Sequence, residues 1–165
     1  MNQFEDHEAH DALPVEEEVQ GSVVEWLARD SRDHVALFTA VLVEDLLPAG
    51  LDEIDEHRRV LAAILGIPPT TRSVFGVPLG NERAERWRAF VERGLFVFAA
   101  HRDGGPYWIA EAPQQPLRIV DLPDCAGELI ARQAPLALPF KHVSSVMPDT
   151  LGHVRRLGMT GRRLS

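Results

Sequence analysis

LFVFAAHRDGGPYWIAE, residues 95–111, holds two β-forming runs on either side of a short polar segment. Phe96, Val97 and Phe98 before it, and Tyr107, Trp108 and Ile109 after it, are aromatic and β-branched types that fit a pleated, packed surface. Arg102, Asp103, Gly104 and Gly105 lie between the runs, and their glycines supply the positive φ angles a tight connection needs. The pattern predicts a β-hairpin. In its first run Leu95, Val97 and Ala99 alternate with Phe96, Phe98 and Ala100, so both faces are apolar, as in an inner strand covered on both sides. The hairpin therefore belongs in the middle of a sheet, and it carries no catalytic signature.

Toward the N-terminus, SVVEWLA (22–28) and HVALFTA (34–40) flank the polar connection Arg29-Asp30-Ser31-Arg32-Asp33 and predict a second hairpin. Alternation puts Val23, Glu25 and Leu27 on one face and Val24, Trp26 and Ala28 on the other, so Trp26 points into the core and Glu25 is either a solvated rim residue or a half-buried carboxylate. VLVEDLLPAG (41–50) extends the second strand until Pro48 interrupts it. A helix follows over residues 51–65. Leu51, Ile54, Arg58, Leu61 and Leu65 form its stripe, with Val60 and Ile64 beside them, and Asp52, Glu53, Asp55 and Glu56 lie in the first turns, where the helix dipole favours acids.

Residues 66–80, GIPPTTRSVFGVPLG, read as a connection in which Val74 and Phe75 form a short strand or an anchor; its glycines make no phosphate-binding pattern. Asn81 is a good N-cap for a second amphipathic helix, with Ala84, Trp87, Phe90 and Val91 inward and Gly94 as its terminator. Arg83, Arg86, Arg88 and Arg93 alternate there with Glu82, Glu85 and Glu92, which reads as a solvated face of mixed sign. Beyond the central hairpin the pattern predicts a turn over 113–116, a strand over 117–120 and a short helix over 125–133 capped by Asp121. A last strand is expected over 137–146, around Phe140, with Lys141 and His142 on opposite faces. The whole is an α+β domain: a mainly antiparallel sheet of about five or six strands, built from two hairpins and carrying two main amphipathic helices.

The chain of 165 residues is the size of one domain. Its single cysteine, Cys125, excludes an internal disulfide framework and a multi-cysteine zinc site. Net charge is −8 and unevenly placed: residues 1–20 hold seven acids and no base, residues 149–165 hold one acid and four arginines, and the body between holds 17 acids against 13 bases. The expected organisation is an acidic, flexible tail over 1–20, one domain over 21–147 and a basic tail over 148–165 that begins with a helical turn. A negative body repels nucleic acid and suits a basic protein partner. No apolar run is long enough to span a membrane and no secretory signal opens the chain, so the expected compartment is the cytoplasm.

Chemical motifs are sparse. His7 and His10 stand three apart, not the four that a helical zinc pair with an intervening glutamate requires. Glu53 and His57 are four apart but have no third ligand near them in sequence, and read as part of a solvated acidic face. Cys125, near a helix start, needs a base to act as a nucleophile, and only folding could bring His101 or His142 to it. No catalytic residue, metal ligand or cofactor is therefore assigned.

The order of elements, with the phrases VVEWLARDSRDHVALFTA, ERGLFVFAAHRDGGPYWIAEAPQQPLRIVDLP and LPFKHVSSV, resembles a group of small bacterial proteins, some of which are regarded as immunity proteins beside polymorphic toxins. The likeness lies in strand and turn residues, not in a chemical motif. It departs where a glycine-rich segment would follow the first hairpin and VLVEDLLPAG stands instead. The resemblance implies a non-enzymatic module that neutralises a cognate toxin. The densest acidic segment of the body, Glu44, Asp45, Asp52, Glu53, Asp55 and Glu56, is the expected contact region for such a partner. The competing expectation is a small enzyme or ligand-binding domain with a pocket between the sheet and residues 66–80, using Glu25, His101, Cys125 and His142.

Overall fold

Ser22–Arg29 (β1) and Val35–Leu42 (β2) pair antiparallel, from Ser22 opposite Leu42 to Arg29 opposite Val35, and confirm the N-terminal hairpin. The structure is a computed structural model and describes residues 22–42, 46–47, 54–76, 80–100, 106–151 and 154–155. Both proposed tails lie for the most part outside these residues. Leu46–Leu47 (β3) follows β2, then come the helix Ile54–Leu65 (α1), the strand Ser73–Phe75 (β4) and the helix Glu82–Val91 (α2). Phe96–Ala100 (β5) and Tyr107–Pro113 (β6) form the central hairpin, and Asp124–Ala131 (α3) is the third helix. Two short strands end the described chain, Ser145–Val146 (β7) and Val154–Arg155 (β8).

The fold is α+β. Its main sheet has six strands in the order β1-β2-β5-β6-β4, with β7 also on β6, and is mostly antiparallel. The two hairpins join through one parallel pairing, β2 with β5, from Ala36 opposite Phe96 to Thr39 opposite Ala99. A parallel junction needs a long crossover, here the stretch that carries α1, β4 and α2. β3 and β8 pair separately as a small two-stranded sheet.

Every residue of β5 is buried, as its doubly apolar pattern requires. One face of the sheet, with Leu27, Val35, Leu37, Val97, Ala99 and Ala110, packs under the three helices. The other face is aromatic. Phe38 stacks on Phe98 at 5.1 Å and meets Tyr107 edge-on at 5.6 Å, with Trp26 and Phe140 alongside. Each such ring pair contributes about 0.5–1.5 kcal/mol beyond the area it buries. Residues 136–151 cover that layer with Leu136, Leu138, Phe140, Val143, Val146 and Leu151.

Asn81 caps α2 as its residue type demands, accepting the Ala84 N–H at 2.8 Å. Gly94 ends it at φ 97°, a left-handed conformation that glycine adopts without strain, and a Cβ there would lie 2.5 Å from the Leu117 side chain.

Five local expectations are corrected. Residues 117–120 are not a strand: Arg118 makes one bridge to His34, and Ile119–Asp121 is a 3-10 turn closed by the Asp121 carboxylate, which accepts the Arg118 N–H at 3.3 Å. Asp121 is thus spent on its own turn, and α3 begins after Pro123 without a side-chain cap. The strand expected over 137–146 shrinks to β7, because Phe140–His142 coils into a 3-10 turn that drops the Phe140 ring onto the aromatic layer. Lys141 and His142 are both exposed there. On α1 the buried stripe is His57, Val60, Leu61 and Ile64, and Arg58 is exposed.

Candidate functional site

The acidic contact region begins on α1. Asp55 and Glu56 occupy its first turn, while Glu44, Asp45, Asp52 and Glu53 lie outside the described residues. The Asp55 carboxylate is 80% exposed, and among the described residues it meets only the Arg58 guanidinium of its own helix, at 3.6 Å. Glu56 has a second role, since it accepts from Arg132 Nη2 at 2.8 Å and ties α1 to the end of α3. That bond holds its carboxyl below the ordinary value of 4.5.

The pocket candidates do not come together. Glu25 lies on the helix-bearing face of β1, half-buried, gripped by Arg86 of α2 through Nη2 at 2.6 Å and Nε at 2.9 Å. The bidentate bond raises the Arg86 pKa. Cys125 is exposed on α3. His142 is exposed on the turn that covers the opposite, aromatic face. His101 lies outside the described residues. Among the described residues no group of three or more His, Cys, Asp and Glu is placed to hold a metal ion.

Two polar arrangements escaped the reading of the sequence. β6 carries a bulge against β5: Phe98 faces Ile109 and Val97 faces Glu111, so Ala110 is inserted between them. Strict alternation would put Glu111 on the aromatic face with Tyr107 and Ile109. The extra residue turns it to the helix face instead. There its carboxylate, 0% exposed, accepts from Arg88 of α2 through Nε at 2.7 Å and Nη2 at 3.2 Å. The bond raises the Arg88 pKa. Gly76 closes the site, since a Cβ there would stand 2.7 Å from Glu111 Cδ. The signal in the sequence was one carboxylate inside an otherwise apolar strand, but the bulge that re-aims it leaves no residue signature.

The second arrangement is His57, expected on a solvated face and found 2% exposed. Its Nδ1 accepts the Leu27 N–H at 3.1 Å. β1 is a sheet edge, so this bond, with Leu136 N–H to Arg29 O at 2.9 Å, covers donors and acceptors that would otherwise stand open. An accepting Nδ1 places the single ring proton on Nε2, which lies 3.4 Å from the Gln133 side chain. Burial lowers the His57 pKa from 6.5, keeping the ring neutral.

A cleft of about 330 Å³ opens where the α1–α2 connection meets the end of β6, lined by Pro69, Thr70, Thr71, Arg72, Gln114 and Gln115. Its wall is made of residues 69–72 of that connection and of Gln114 and Gln115 just past β6, and Glu25, Cys125 and His142 are absent from it. No helix among the described residues is long and apolar enough to cross a membrane. Compared with known protein families, with curated proteins and with solved structures, the chain matches none.

Proposed function

We propose that this chain is a non-enzymatic protein-binding module of the cytoplasm, an immunity-type protein that neutralises a cognate toxin by offering an acidic surface to a basic partner. The observation that carries the reading is the open first turn of α1. Asp55 is 80% exposed and, among the described residues, has only a loose intrahelical partner, within the acidic segment that runs from Glu44 to Glu56 in sequence. Charge of this kind, on a body of net negative sign, speeds encounter with a basic partner and makes binding sensitive to salt. The resemblance of the strand and turn phrases to immunity proteins supports the same reading. So does the dispersal of Glu25, Cys125 and His142, of which Glu25 is already committed to Arg86.

Affinity capture of the tagged chain from its native cells, at low and at high salt, tests the reading. A stoichiometric basic protein retained at low salt and lost at high salt is the expected result. Retention of a small molecule with no protein would favour the second reading, a ligand-binding domain, which the cleft beside residues 69–72 supports.

A further inference from the structure

The cleft between the α1–α2 connection and the end of β6 is polar, and among the described residues no acidic side chain lines it. Its walls are fastened to each other. Thr70 N–H and Thr71 N–H both donate to Glu92 O, at 2.9 and 3.0 Å; Gln114 N–H donates to Arg72 O at 2.8 Å, and Gln115 N–H to Thr71 Oγ1 at 3.0 Å. The backbone that carries those side chains is therefore held in place before any ligand arrives, which reduces the ordering cost of binding.

Arg72 is the distinctive group. Its Nε donates to Gln114 Oε1 at 2.9 Å, which orients the guanidinium plane. Arg86 and Arg88, the other arginines whose Nε donates to a side chain among the described residues, give it to carboxylates. Arg72 gives it to a neutral amide, and no carboxylate pairs with it among the described residues. Its two terminal nitrogens bond no protein acceptor among the described residues. Thr71 Oγ1 accepts from Gln115 and keeps its own proton to donate, and the Thr70 hydroxyl adds a further donor. An exposed guanidinium bonded through Nε and sharing a cleft with two threonine hydroxyls can offer its terminal nitrogens to the paired oxygens of an oxyanion, to which arginine bonds in a bidentate manner.

We infer that this cleft is a binding site for a small oxyanion-bearing ligand, a phosphate or a carboxylate, with Arg72 as its anchor and Thr70 and Thr71 as supporting donors. The inference does not depend on the acidic face of α1, which lies on a different element.

The test is a heteronuclear NMR titration of the intact chain with inorganic phosphate and, separately, with acetate, at constant ionic strength. Saturable shifts are expected at Arg72 Nε and at the amides of Thr70, Thr71, Gln114 and Gln115, and the anion that saturates at lower concentration identifies the class. Arg72→Gln should weaken saturation about tenfold or abolish it. Thr70→Val, which removes a hydroxyl with no partner among the described residues, should weaken it less. Arg59→Gln, at an exposed position on α1, should leave it unchanged. Shifts that rise linearly with both anions, or saturation that survives Arg72→Gln, would overturn the assignment.

Discussion

The carboxylate of Asp30 accepts the backbone N–H of Phe140 at 2.7 Å across 110 positions of sequence. Asp30 is fully buried in the β1–β2 turn, and its other oxygen accepts the N–H groups of Arg32 and His34 at 2.8 and 2.9 Å. One side chain thus shapes the hairpin turn and pins the segment that covers the aromatic face. Asp30→Ala leaves these amides without their acceptor and should cost about 2–5 kcal/mol in chemical denaturation. Asp30→Asn keeps the shape and one acceptor oxygen, and should cost less. Equal stability of wild type and Asp30→Ala would remove Asp30 from this role.

The Arg88–Glu111 pair should behave as a buried pair that is costly to break singly. Glu111→Ala or Arg88→Ala is expected to lose about 3–5 kcal/mol, while Arg88→Met with Glu111→Leu recovers much of the loss. Gly76→Ala should destabilise the wild type by forcing a methyl onto Glu111, and do so far less in the Glu111→Ala background. A double-mutant cycle measures that coupling; additive effects would mean that Gly76 and Glu111 do not share the space.

His57 sets a pH dependence whose sign follows from its depressed pKa. The unfolded ring, near 6.5, binds a proton more readily than the folded one. Stability from this group is therefore complete above about pH 6.5 and is lost as pH falls below that value toward the folded pKa. His34, also lowered by burial, acts in the same direction. Glu56 acts in a separate, lower window, below 4.5, since its carboxyl is depressed by Arg132. Denaturation midpoints measured between pH 7 and 5 should fall for the wild type and fall less steeply for His57→Gln. An unchanged slope in the variant would contradict a neutral, buried His57.

Gly94→Ala should cost more than an ordinary loop substitution. The left-handed backbone disfavours alanine by about 1–2 kcal/mol, and the added Cβ meets Leu117 side-chain and backbone atoms at 2.5 and 2.8 Å. Thermal denaturation of the variant checks this; a midpoint within error of the wild type would show that the α2 terminus relaxes freely.

Much of the architecture was legible in the residues because it rests on local patterns. Alternation identified the two hairpins, Trp26 as core and β5 as an inner strand; Asn81 and Gly94 marked the ends of α2 by capping chemistry alone. What escaped was set by distant partners. Residues 117–120 and 137–146 look like strands in composition, but Asp121 and Asp30 hold their backbones in turns, the latter from 110 positions away. His57 looked solvated among Asp55, Glu56 and Arg58, although it shares a helical stripe with Val60, Leu61 and Ile64, and the open edge of β1 gives its buried ring a donor to accept from. Glu111 required a bulge to find Arg88. The cleft beside residues 69–72 holds none of Glu25, Cys125 and His142, because titratable residues were sought for a pocket and Arg72, Thr70 and Thr71 were read as connection.

The central claim, that the acidic face of α1 meets a basic protein partner, is tested most directly by measuring partner affinity against salt for wild type and Asp55→Lys. Asp55 is the clean probe, since reversing Glu56 would also break the bond to Arg132. The account predicts an affinity that falls with salt, and a loss of about fivefold in Asp55→Lys at low salt with the fold unchanged. An affinity indifferent to both salt and the substitution would contradict it.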